Sequence, residues 1–204
     1  MKFAPKIALD VDGVVCDWWG GIIATGKTMG LRDSLPRHPK WVSEWYGRGS
    51  AFNKVWDVVK ADRAWWMSLK PIKGALASIT FTPHLYITAR PIPAQWTIDW
   101  MNANGFGPTC RRVAPSRGES KAQTMMREGA HFLVDDKPDT VAEVNAIPDA
   151  GLYAFLMDQS WNRLYEDGGS RIRSLSEVPE RIAKMTGAPT LTPPPPLPEG
   201  GLYA

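Results

Sequence analysis

Cysteine is nearly absent: the 204 residues contain two, Cys16 and Cys110. They lie far apart and in no metal-ligand spacing, which excludes a disulfide framework and a thiolate zinc site as organising features. Both thiols are expected to be reduced, in a cytoplasmic protein. Charge of one sign is scarce too. Lys and Arg number 24 against 21 Asp and Glu, a net charge of +3. So small an excess argues against a nucleic-acid polymer or a membrane surface as partner, although it would not repel an anionic small molecule. No apolar run approaches the roughly 20 residues of a membrane span. The N-terminal MKFAPKIALD reaches its first acid before any long apolar region, so no signal peptide is expected. Internal repeats are also lacking. What remains is a composition with 44% hydrophobic residues, at a length that holds one domain with an insertion or two small ones.

Tryptophan, by contrast, is abundant. Seven of the ten tryptophans fall between Trp18 and Trp66. That region, 15–74, is also rich in Gly and basic residues and has helix-like stretches around 40–46, 51–60 and 62–69, with no strand signal. It reads as a helical insertion that begins with an extended flap at 14–19. On either side of it short apolar runs alternate with helix-like segments. The runs are 6–10, 84–88, 111–114 (weak), 131–135 and 152–157. Helical patterns occupy 72–81, 95–104 (ended by Gly105), 120–129, 140–146 and 175–185. This alternation predicts an α/β fold: a five-stranded parallel sheet with helices on both faces. Residues 1–14 and 75–186 form the core, 15–74 the insertion, and 187–204, with four consecutive prolines at 193–196, a disordered or polyproline-like tail.

Polar residues recur where the runs end. Asp10 closes the first and is followed by Asp12 and Gly13. Thr88 closes the second, Lys121 opens a helix, and Asp135 and Asp136 close the fourth. In a parallel sheet all carboxyl ends share one edge, where ligands bind. Several acids converging there require a hard cation, and an all-oxygen ligand set suits Mg²⁺. A lysine and a hydroxyl beside that cation suit a phosphate group. Each residue taken singly has a plainer reading, as a turn acid, a β-forming threonine or a solvated lysine. The joint order is what carries weight.

These segments, DVDGV, ITAR, SKAQ and FLVDDKPD, resemble the four motifs of the haloacid dehalogenase-like (HAD) phosphohydrolases. The resemblance implies a Rossmann-like core with a small helical cap inserted after the first strand. It implies that Asp10 is the nucleophile that forms an aspartyl-phosphate and that Asp12 is the general acid/base. Thr88, Ala89 and Lys121 would bind phosphate. Asp10, Asp135, Asp136 and the backbone carbonyl of Asp12 would hold Mg²⁺. Over 6–163, the strings DVDGVVCDWW, WVSEWYG, WWMSLKPIKGALASI and DQSWN are further similar to the 5′(3′)-deoxyribonucleotidases. That similarity implies a nucleoside monophosphate substrate, pyrimidine deoxyribonucleotides first, with Trp18, Trp41 and Val42 lining a base pocket. Trp45, Trp56, Trp65 and Trp66 are expected to pack instead.

Two departures bear on specificity. ARPIP follows the second run in place of a small residue and proline, and Glu119 stands where a basic residue is expected. Arg90 or Lys137, both assigned to the substrate site, is expected to offset Glu119. Rival readings are a phosphatase for another small ester such as a sugar phosphate, a response-regulator receiver, and a non-catalytic phosphate- or nucleotide-binding module. Chain order speaks against the receiver, since Lys121 precedes the last acid pair and a long insertion follows the first. A homodimer is an open assembly.

Overall fold

The first strand, β1 (Ile7–Asp10), is apolar up to its final residue and buried throughout. Such a strand needs a neighbour on each edge and a cover on each face. The computed structural model, which describes residues 4–31, 50–107, 112–116 and 118–187, supplies both. β1 runs parallel to β2 (Leu85–Thr88) on one side and β4 (Phe132–Asp135) on the other, with Leu9 opposite Tyr86 and Val134. β3 (Val113–Pro115) extends one edge, and β5 (Tyr153–Met157) and β6 (Arg171–Ile172) extend the other. The order is β3-β2-β1-β4-β5-β6, all parallel.

The two-residue period of the strands divides the core in two. Ile7, Leu9, Tyr86, Phe132, Val134 and Phe155 share one cluster with Trp66 of α3 (Arg63–Ser68), Trp100 and Met101 of α5 (Ala94–Ala103) and Ile182 of α8 (Val178–Thr186). Ala8, Leu85, Ile87, Leu133, Ala154 and Leu156 face the other way, against Met125 of α6 (Lys121–Glu128) and Val141 and Val144 of α7 (Pro138–Asn145). Helices therefore cover both faces of a Rossmann-like sheet.

Between β1 and β2 the described chain is helical: α1 (Trp18–Thr28), α2 (Ala51–Val59), α3 and the single turn α4 (Ala75–Ser78). Trp19, Ile22, Phe52, Val55 and Val59 form a separate cluster there. Trp66 is buried, and Trp56 and Trp65 are partly buried and packed, as expected of aromatic residues at helical spacing.

Four expectations are corrected. The sheet has six strands, not five: β6 is two residues long, too short to show any alternation, and is held by Arg171, which bonds Asp158, Asn162 and Asp167. The extended flap ends at Asp17, because the Asp17 carboxylate caps the N–H of Gly20 at 2.9 Å and starts α1 at Trp18; the glycines of WWGG masked this helix. The helix expected over 72–81 is one turn, α4. The one expected over 140–146 starts at Pro138, a favoured first position.

Trp41, Val42, Trp45, Cys110, the helix expected at 40–46 and the tail from 188 onward lie outside the described residues. Among the described residues no helix is long and apolar enough to cross a membrane.

Candidate active site

Asp10, Thr88 and Asp135 are the last residues of β1, β2 and β4, and Ser116 follows β3 directly. The sheet thus brings their side chains to one edge. Lys121 reaches that edge from the first turn of α6, whose start is fixed by a capping box: the Ser120 hydroxyl accepts from Gln123 N–H, and the Gln123 side chain accepts from Ser120 N–H.

Three carboxylates converge around that lysine. Lys121 Nζ lies 2.9 Å from Asp10 Oδ2 and 2.6 Å from Asp135 Oδ2. Asp10, Asp135 and Asp136 each offer an oxygen within 4.8 Å of the others. All three are buried, and the cluster carries three acids for one cation. Burial, followed by the charges of Asp135 and Asp12, pushes Asp10 up to about 7 against the pull of Lys121. Burial, followed by the charges of Asp135 and Asp10, pushes Asp136 well up. Lys121 moves upward, because the two carboxylates outweigh the burial that opposes its charge. A buried all-oxygen set with an excess of negative charge matches the donor chemistry of a hard divalent cation.

The surrounding chain fixes these carboxylates. Val11 N–H donates to Asp10 Oδ1 at 2.7 Å, and Lys137 N–H to Asp135 Oδ1 at 2.8 Å. Asp136 is held from three sides. Trp161 Nε1–H donates to its Oδ2 at 2.7 Å, and Asn162 holds its backbone carbonyl at 2.8 Å. Gly13, at φ +80°, lies against it so closely that a Cβ there would come within 2.2 Å of the carboxylate. Position 13 thus needs glycine both for its φ and for this contact.

Asp12 has a different environment. Its carboxylate is gripped by Arg90, with Nη2 2.6 Å from Oδ1 and Nε 2.9 Å from Oδ2. The guanidinium is 1% exposed, and its carbon lies 4.9 Å from the Trp66 ring centroid and 5.6 Å from that of Trp100. Burial opposes the Arg90 charge, but Asp12 raises its pKa further. Arg90, expected at the substrate, is therefore engaged by Asp12. Buried Cys16 sits in the same corner. Burial and the Asp12 charge push its thiol well up, which keeps it neutral.

A cavity of about 610 Å³ opens over the acids. It is lined by Asp10, Asp12, Lys121, Asp135 and Asp136 and also by Trp18, Trp19, Phe52, Trp56, Trp66 and Trp161. Trp18 contacts the rings of Trp19, Phe52 and Trp56 at centroid distances of 6.0, 5.9 and 6.1 Å. Ala89, Arg90 and Lys137 also line this cavity. Thr88 is buried beneath Ala89, and its hydroxyl accepts from Arg90 N–H at 3.2 Å. Glu119 lines the cavity too, and Arg127 pairs with it at 2.5 Å.

Residues not singled out from the sequence complete the site. Ser116 lines the cavity at the end of β3. Gln159 Nε2–H donates to Gly13 carbonyl at 2.7 Å, and Asn162 ties Asp136 to Met157. The string DQSWN was visible in the sequence, but its partners lie 146 residues earlier for Gln159 (Gly13) and 26 residues earlier for Asn162 (Asp136), separations that no local pattern encodes.

No family model matches this chain, and no curated protein matches it. Solved structures do. A HAD family hydrolase from Deinococcus radiodurans R1, with bound phosphate and sodium, is 15% identical over 93% of this chain and 98% of its own, with a TM-score of 0.58. A predicted phosphatase from Clostridium acetobutylicum is 15% identical over 88% and 98%, with a TM-score of 0.58. A defluorinating L-2-haloacid dehalogenase is 12% identical over 91% and 96%, with a TM-score of 0.53. The chain thus has the HAD hydrolase fold.

Proposed function

We propose that this protein is a Mg²⁺-dependent phosphomonoesterase acting on nucleoside monophosphates, pyrimidine deoxyribonucleotides first. The observation that carries the reading is one cavity lined both by acids and a lysine and by six aromatic rings. A phosphate ester of a flat apolar group has the same polarity. The volume, about 610 Å³, suits a small organic ligand. Support also comes from the Deinococcus structure, in which the same fold holds phosphate and a cation. A sugar phosphate would offer these rings no flat aromatic face to stack on.

Asp10, Asp135 and Asp136 would hold the Mg²⁺, with the backbone carbonyl of Asp12 joining them. The ion supplies charge neutralisation on the phosphoryl oxygens. Asp10 is the nucleophile: one of its carboxylate oxygens forms the bond to phosphorus as the bond from phosphorus to the leaving oxygen breaks. Lys121 and Thr88, with backbone N–H groups near Ala89, neutralise and orient the equatorial oxygens. Asp12 passes a proton to the departing nucleoside oxygen. It then takes one from the water that attacks phosphorus, which frees Asp10 and releases phosphate. Arg90 fixes where Asp12 stands. The helical layer α1–α3 acts as a cap over the cavity, and its rings exclude bulk water.

Phosphate release with Mg²⁺ from 5′- and 3′-deoxynucleotides, ribonucleotides and sugar phosphates tests this reading. Turnover concentrated on one nucleotide class and lost in Asp10→Asn is expected. Turnover concentrated on sugar phosphates would discard the aromatic pocket, and no release from any ester would discard the phosphatase reading.

A further inference from the structure

Trp161 both donates a hydrogen bond to one of the clustered acids and packs against the helical layer. Its Nε1–H meets Asp136 Oδ2 at 2.7 Å. Its ring packs against the cluster of Trp19, Ile22, Phe52, Val55 and Val59 from α1 and α2. It also lines the cavity between these two contacts. The loop that carries it is built firmly. Asn162, fully buried, bonds the carbonyls of Asp136 and Met157 and accepts from Gln159 N–H at 3.1 Å and from Arg171 Nη1 at 2.7 Å. Arg171 also pairs with Asp158 and Asp167.

The consequence for Asp136 is geometric. Gly13 blocks one side of the carboxylate, and the Trp161 indole occupies Oδ2. One oxygen of the same carboxylate lies within 4.8 Å of oxygens offered by Asp10 and Asp135. A partner of this kind, standing behind a ligand, orients it, and loss of such a partner costs about 10–100-fold in metal affinity. We propose that Trp161 is a positioning residue for the cation site: through its indole N–H it aims Asp136, and through its ring it ties that aim to the helical layer over the cavity. This inference rests on the reading that Asp10, Asp135 and Asp136 hold Mg²⁺.

The test needs no substrate. Mg²⁺ affinity is measured by competition against Mn²⁺, followed by electron paramagnetic resonance, for the wild type, Trp161→Phe and Trp18→Phe. Trp161→Phe keeps a ring and removes the N–H. Trp18→Phe changes a ring of the same wall that has no bond to an acid. The expected result is Mg²⁺ binding about tenfold weaker in Trp161→Phe, with Trp18→Phe matching the wild type. Equal affinity in the wild type and Trp161→Phe would overturn the proposal. So would an equal loss in both variants, which would mean a general loosening of the aromatic wall. A wild type that binds no Mg²⁺ would be a different failure, that of the metal site itself.

A second measurement uses the intact protein. With ¹⁵N-labelled indoles, the Nε1–H resonance absent from Trp161→Phe, or from Trp161→Tyr should the first variant not fold, is expected to shift on addition of Mg²⁺. A resonance that stays in place through saturation would count against the proposal.

Discussion

Asp10 and Asp12 stand two residues apart yet face opposite electrostatic conditions. Asp10 is buried among acids and pushed up to about 7 from the ordinary 3.8, with burial the largest cause. The metal-free fold therefore keeps a proton that the unfolded chain releases near 3.8. Between about 4 and about 7 the folded state binds more protons than the unfolded state, so the stability of the metal-free protein falls as pH rises through that window. Mg²⁺ competes with the same proton, so its affinity rises over the same range. Thermal unfolding from pH 5 to 8, with Mg²⁺ or with a chelator, is expected to show a small stabilisation by Mg²⁺ at pH 5 that grows to a plateau above 7. Asp12 instead meets a guanidinium that is 1% exposed. Asp12→Ala strands that charge, and removing one partner of a buried pair costs about 3 kcal/mol. Urea unfolding is expected to show a loss of this size, in addition to the loss of activity.

At the scale of elements, the site depends on where helices begin. Lys121 reaches two carboxylates only because the capping box sets the first turn of α6 at Ser120. Ser120→Ala is expected to cost about 1 kcal/mol of stability. Because the Lys121 position loosens with it, the variant should also weaken binding of inorganic phosphate measured by calorimetry. That boundary was legible in the sequence, since a serine followed three residues later by glutamine is a local signal. So were the strand ends, because an apolar run that stops at an acid states its own boundary. Less legible were features made by distant contacts. β6 is two residues held in place by the network around Arg171. α1 begins behind an Asp17 cap and runs through Gly20 and Gly21, which lower helix propensity while fitting against Asp17 and Leu69. Arg90 reads in the sequence as a charge that offsets Glu119; its pairing with Asp12 between Trp66 and Trp100 is made by contacts from other elements, which the local sequence does not show. The role of Trp161 was hidden for the same reason: its partner Asp136 lies 25 residues earlier.

At the scale of the whole molecule, one parallel sheet collects the charged groups at its carboxyl edge, and one helical layer between β1 and β2 supplies, together with Trp161 after β5, the aromatic rings of the same cavity. The two halves come from different stretches of chain and meet in a single cavity, where phosphate chemistry and recognition of a flat group can be served at once. The proposed function requires that Asp10, in the presence of Mg²⁺, accept a phosphoryl group. A phosphoryl analogue tests this with no knowledge of the substrate: ¹⁹F NMR of the protein with beryllium fluoride, with and without Mg²⁺. Bound fluoride signals are expected that require Mg²⁺, persist in Asp12→Asn and vanish in Asp10→Asn. Signals that are absent from the wild type with Mg²⁺, or that survive in Asp10→Asn, would contradict it.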